Sequence, residues 1–134
     1  MFNKVQMIET LIKNYTCPIL ISNDTFQGYK NAVEINADCE DEALMCSYNA
    51  KGEKEAPVWY QQLMQKGMGK YRLLVIKNLN EVDERKQLRF KEIMKYAQIN
   101  HMKLPENCVI IVTHSYLKSH RMIEPMMSLC TMVD

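Results

Sequence analysis

Apolar residues follow two rhythms along the chain. Phe2, Val5, Ile8, Leu11, Ile12 and Tyr15 recur at three- and four-residue spacing, with Lys4, Glu9 and Lys13 between them. That spacing predicts an amphipathic helix over residues 2–14. A second rhythm is short and strand-like. Pro18-Ile19-Leu20-Ile21 has the length and branching of a buried strand, with Pro at the tolerated first position. Ala32-Val33-Glu34-Ile35-Asn36 alternates as a strand does. Arg72-Leu73-Leu74-Val75-Ile76 and Cys108-Val109-Ile110-Ile111-Val112 hold unbroken apolar runs of the kind buried on both faces. Thr131–Val133 predicts a last short strand.

The intervening segments predict loops and helices. Asn23-Asp24 and Gly28 mark a loop. Asp38 or Cys39 starts a short helix through Glu42, Leu44 and Met45 to Tyr48. Residues 49–56 (NAKGEKEA) read as a polar surface loop. Pro57 opens a helix carrying Val58, Trp59, Leu63 and Met64, closed by Gly67 and Gly69. Asn80 is a good N-cap, with Glu81, Asp83 and Glu84 in the first turn. The helix it opens, 81–99, would turn Leu88, Ile93, Met94 and Ala97 to the core. Arg85, Lys86, Arg89, Lys91 and Lys95 would cover much of the rest. Leu104-Pro105-Glu106-Asn107 is a turn. Buried strands alternating with helices predict one α/β domain over 1–134, a three-layer α/β/α arrangement with a mainly parallel sheet.

Composition narrows the function. Of 134 residues, 47% are apolar and 25% charged, and the net charge is +1. A uniformly basic nucleic-acid binder and an acidic tail are not indicated. No apolar run approaches the ~18 residues of a membrane span. The N-terminus lacks a signal-peptide pattern, which predicts a cytoplasmic protein. Five Cys without a Cys-x-x-Cys argue against a disulfide framework or zinc clip. Cys17, Cys108 and Cys130 border apolar runs and read as buried hydrophobes in a reducing compartment. Cys39 and Cys46 flank an acidic patch and read as exposed. Residues 1–67 carry 6 basic and 9 acidic groups, and residues 68–134 carry 11 and 7. The two halves are either two solvated faces or an acidic and a basic surface that meet in an assembly.

Motif order adds a resemblance. Leu73-Leu74-Val75-Ile76-Lys77-Asn78-Leu79-Asn80 is followed by a long predicted helix, then Leu104-Pro105-Glu106-Asn107, Cys108 to Ser115, and Ile123-Glu124-Pro125-Met126-Met127-Ser128-Leu129-Cys130. In order and spacing, residues 57–129 resemble the second half of an AAA+ ATPase core. The pieces resemble a Walker B strand, a sensor-1 strand with Thr113 and His114, and the segment that carries an arginine finger. Pro18-Ile19-Leu20-Ile21 stands where the strand before the phosphate loop would be. The resemblance implies a truncated P-loop NTPase-like core without the lid domain.

Every catalytic position departs from that pattern. Lys77 and Asn78 stand where Walker B needs a magnesium-binding Asp and a water-polarising Glu; an ammonium repels Mg²⁺ and an amide is no base. The finger position is Leu129. No Gly-x-x-x-x-Gly-Lys-Ser/Thr occurs, and Gly28-Tyr29-Lys30 is its sole echo. Nine residues, Asn23 to Asn31, separate Ser22 from Ala32. A crossover with a helix needs about a dozen or more. Either the phosphate loop and its helix are deleted together, or residues 18–22 and 31–36 form an antiparallel hairpin.

The expected function is therefore a non-catalytic AAA+-like interaction module without cofactor or metal. The resemblance implies docking on an ATPase or a replication or remodelling machine, in the manner of inactive clamp-loader subunits, and suits a phage or mobile element. Homo-oligomers fit the same expectation. The alternative is nucleic-acid binding through Arg85, Lys86, Arg89, Lys91 and Lys95. Tyr60 and the Met126–Met127 pair are candidate interface residues. His114 with Thr113 and Ser115 follows a buried strand, where α/β proteins place functional groups, but no Gly-x-Ser-x-Gly elbow supports hydrolysis there. His114 and His120 have poor metal spacing.

Overall fold

A computed structural model describes residues 4–13, 17–26, 28–29, 32–65, 72–115 and 121–133. Phe2, Tyr15, Lys30, Gly67, Gly69 and His120 lie outside the described residues. In chain order the elements are α1 (Lys4–Lys13), β1 (Ile19–Ser22), β2 (Val33–Asn36), α2 (Asp41–Leu44), β3 (Ser47–Tyr48), β4 (Lys54–Glu55) and α3 (Val58–Gln65). Then come β5 (Arg72–Lys77), a 3-10 turn (Leu79–Glu81), α4 (Glu84–Leu88), α5 (Lys91–Tyr96), β6 (Gln98–Ile99), β7 (Met102–Lys103), β8 (Cys108–His114), α6 (Glu124–Met127) and β9 (Thr131–Met132).

Five strands form one sheet in the order β2-β5-β8-β1-β9, and every neighbouring pair is parallel. The longest apolar runs take its middle: Val75 pairs with Ile111, and Ile21 with Thr113. Helices flank both sides. On one face Leu20, Val33, Ile35, Leu74, Ile76, Ile110 and Val112 pack with Trp59, Leu63, Phe90, Ile93 and Met126. On the other, Ile19, Ile21, Leu73, Val75, Val109 and Ile111 meet Ile8 and Ile12 of α1.

β1 and β2 are not a hairpin. They run parallel with β8 and β5 between them. Residues 23–32 must therefore cross three strand spacings, about 14 Å, and return along a strand, within the roughly 30 Å that such a chain spans extended. The described residues of this connection hold a turn and no helix. Phe26, Tyr29 and Ala32 instead pack beside α1 on the sheet. Burial, and then the charge of Glu9, raise the Tyr29 hydroxyl pKa.

The expected helix 81–99 is broken into the 3-10 turn, α4 and α5. Asp83, not Asn80, caps α4, accepting from Lys86 N at 2.9 Å. Ala97 ends α5 in the left-handed region (φ 52°). The inward positions are Gln87, Phe90, Ile93 and Met94, itself a helical spacing, while Leu88 and Ala97 are exposed. Gln87 can be buried because Nε2 donates to Val82 O and Arg121 O and Oε1 accepts from Ile123 N.

Three smaller expectations change. The predicted helix to Tyr48 stops at Leu44, and residues 47–55 form the hairpin β3–β4, turned by Asn49, whose Oδ1 accepts from Lys51 N and Glu53 N. Cys17 is exposed, its Sγ 2.7 Å from Thr131 Oγ1, while Cys39 and Cys46 are half-buried. Cys108 and Cys130 are half-buried in apolar surroundings, and that burial pushes both thiols up to about 12.

Candidate functional site

In a parallel sheet the strand ends face one way, so residues just past β1, β5 and β8 meet at one edge. Asn23 N donates to His114 O at 2.8 Å, extending the β1–β8 ladder by one step. The Asn23 side chain reaches across β8 and donates from Nδ2 to Asn78 Oδ1 at 2.6 Å. Asn78 N in turn donates to the hydroxyl of Thr113, a fully buried residue, at 3.0 Å. Asn78 has φ 62° and ψ 40°, a left-handed conformation that Asn tolerates better than most residues. It swings the chain off β5 into the 3-10 turn.

Asn80 follows two residues later, 6% exposed. Its Nδ2 donates to Ser115 O and its Oδ1 accepts from Ser115 N, both at 2.9 Å. The amide thus imitates a strand neighbour and pins the chain leaving β8. Ser22 closes the third corner: Thr25 N and Phe26 N both donate to its carbonyl, and its hydroxyl bonds Thr25 Oγ1 at 3.1 Å. Asn23 Oδ1 is buried and has no protein partner. Swapping the O and N assignments of Asn23 and Asn78 together would move the orphan to the nitrogen without removing it.

Lys77 turns away from this edge. Its Nζ stands 3.5 Å from Glu34 of β2 and 5.7 Å from the centroid of the Phe26 ring. Leu129 and Met127 pack half-buried on the core, and Met126 is fully buried, so the Met126–Met127 pair is no exposed patch. Tyr60 is half-buried and donates its hydroxyl to Lys103 O at 2.7 Å. Among the described residues no cluster of three or more His, Cys, Asp or Glu side chains could hold a metal, and no helix is long and apolar enough to cross a membrane.

The basic residues of α4 are spent within the chain. Lys86 Nζ sits 2.8 Å from Asp38, which holds the Asp38 carboxyl below its usual range. The Arg89 side chain, 6% exposed, donates to Asp41, Cys39 O and Ala37 O, all at 2.8 Å. Arg85 lies 3.8 Å from Asp41. At this contact the acidic and basic halves meet inside one molecule. Lys91 and Lys95 of α5 remain exposed.

The resemblance pointed to Lys77, Asn78, Thr113 and His114, and the edge does gather Asn78, Thr113 and the His114 carbonyl. It did not single out Asn23 as a member or Asn80 as a clamp. Their signal was an asparagine within a few residues of the ends of the runs 19–21 and 73–76. No protein-family model matches the chain, and no curated protein matches its sequence.

Proposed function

We propose that this chain is a non-catalytic interaction module on an AAA+-like core, which docks on or modulates an ATPase or a DNA replication or remodelling machine. The reading rests on one observation: the strands resembling the Walker B, sensor-1 and phosphate-loop strands, β5, β8 and β1, stand side by side, and their shared edge is filled by amides and hydroxyls bonded to one another. A phosphate loop, a magnesium carboxylate and a sensor must all reach one phosphate, so their strands need to be neighbours.

The chemistry at that edge favours holding over hydrolysis. A phosphate nest needs unspent backbone N–H groups. Here the N–H groups of Asn23, Thr25 and Phe26 donate to His114 O and Ser22 O. Lys77 and Asn78 supply neither a metal-binding carboxylate nor a base. The hydroxyl of Thr113 accepts from Asn78 N, and Ser115 is held by Asn80. The rival reading, nucleic acid on Arg85, Lys86, Arg89, Lys91 and Lys95, is weakened at its first three residues, which Asp38 and Asp41 already take.

Titration calorimetry with ATP and magnesium tests the reading. The expected result is no heat of binding at millimolar nucleotide. A micromolar dissociation constant would overturn it. Co-purification of the tagged chain with a full-length ATPase from its native host is the expected positive result.

A further inference from the structure

We propose that α5 and the hairpins β3–β4 and β6–β7 form a binding surface for single-stranded nucleic acid. This inference stands apart from the non-catalytic reading. The three elements are tied into one unit through Asn100, at the tip of β6–β7. Asn100 Oδ1 accepts from Cys46 N at 2.9 Å, and its carbonyl accepts from Lys54 Nζ. Glu92 of α5 accepts from Asn100 N at 2.8 Å, His101 N at 2.9 Å and Gln98 Nε2 at 3.0 Å. Asn100 and His101 both have positive φ, 47° and 68°, a turn that these three donations hold in place.

Charges and rings segregate onto this unit. Of the described lysine side chains, Lys77 and Lys86 have carboxylate partners. Lys51, Lys54, Lys91, Lys95 and Lys103, which form no ion pair among the described residues, all belong to these elements or their turns. The rings segregate likewise. Among the described aromatics, Trp59 and Phe90 are buried and Phe26, Tyr29 and Tyr60 half-buried. The two exposed ones, Tyr48 (69%) and Tyr96 (59%), both stand here. Tyr48 pairs across the hairpin with Lys54, so the two share a face. Lys95 Nζ lies 5.3 Å from the Tyr96 ring centroid.

The nearby carboxylates oppose this little. Glu92 is turned onto the Asn100–His101 turn, and Glu55 alternates to the other face of β3–β4; Glu53 stands in that hairpin's turn. Exposed rings beside ammonium groups that no carboxylate neutralises suit unstacked bases joined by phosphates. Every base offers a π-face, and each phosphate takes a cation. A duplex hides its base faces and gives the rings nothing to stack on.

Fluorescence anisotropy of a labelled oligothymidylate of about 20 nucleotides, beside a duplex of equal length, tests the proposal. The single strand should bind more tightly than the duplex. With three or four phosphates neutralised, affinity should fall roughly 20- to 50-fold between about 50 and 200 mM salt. Tyr48→Ala or Tyr96→Ala should each weaken binding about tenfold, and the double variant Lys95→Glu/Lys103→Glu more. Arg121→Glu, an exposed cation off the unit, should leave it unchanged, with circular dichroism confirming each fold. Four results overturn the proposal. One is no anisotropy change at about 100 μM protein in low salt. The others are duplex binding as tight as the single strand, affinity indifferent to the tyrosine and lysine variants, and equal competition by polyglutamate, which would mark a site for acidic peptides.

Discussion

The edge where β1, β5 and β8 end and the unit of α5 with its two hairpins both carry dense polar groups, and they use them in opposite ways. At the strand edge nearly every group is answered from within: Asn23 by Asn78, Asn78 by Thr113, Ser115 by Asn80. On the hairpin unit the backbone is fixed internally, by Glu92 and Asn100, while the lysines and two tyrosine rings face solvent. Groups already bonded to each other lower the energy of the fold and offer a ligand little. Charges held in place without a counter-charge cost little stability and are ready to bind. The first region therefore reads as structure and the second as surface.

The largest break in that contrast should come from Asn80→Leu. It strips both bonds from Ser115 and leaves its N–H and carbonyl to find other partners, a cost of about 2–3 kcal/mol in unfolding free energy. Lys103→Ala, an exposed change on the other region, should stay within about 0.5 kcal/mol. Urea titration of both checks the ordering. Equal costs would mean that the strand edge is not held by its amides.

An intermediate effect is expected from Glu92. Burial works to raise its pKa, but the N–H groups of His101 and Asn100, the Gln98 amide and the charge of His101 together hold it below the ordinary 4.5. A lowered folded-state pKa stabilises above the ordinary value and is lost as pH falls through the lowered one. The melting temperature of the unaltered protein should thus exceed that of Glu92→Gln by a steady margin near neutral pH, and the margin should close below 4.5. A gap that persists unchanged into strong acid would show that the hairpin tip does not depend on the carboxylate's charge. The smallest effect belongs to Lys86→Ala. Its partner Asp38 is exposed and Arg89 still ties the same loop to α4, so no resolvable shift in melting temperature is expected.

Much of this architecture was legible in the residues. The unbroken runs 73–76 and 109–112 announced strands covered on both faces, and they occupy adjacent central places in the sheet. The helix that Pro57 announced buries Trp59, whose indole N–H donates to Leu44 O at 3.0 Å. The nine residues before Ala32 left no space for a crossover helix. What misled was residue type taken as a proxy for burial. Gln87 holds an inward position that Leu88 seemed to claim, because three backbone partners from two other segments satisfy its amide. The charge imbalance between the halves was visible, but not that Asp38 and Asp41 would meet Lys86 and Arg89. The hairpin unit was hidden for a similar reason: its strands are two residues long, too short to show a period.

Periodicity and side-chain chemistry, which act over a few residues, settled which segments become the strands of the main sheet and that positions 77 and 78 carry an ammonium and an amide. They could not settle the order β2-β5-β8-β1-β9, nor that Asn80 would find Ser115 thirty-five residues away. Those follow from packing the whole chain at once. A buried amide has no fixed partner until distant segments arrive beside it, and its cost when left alone then selects the arrangement in which they do.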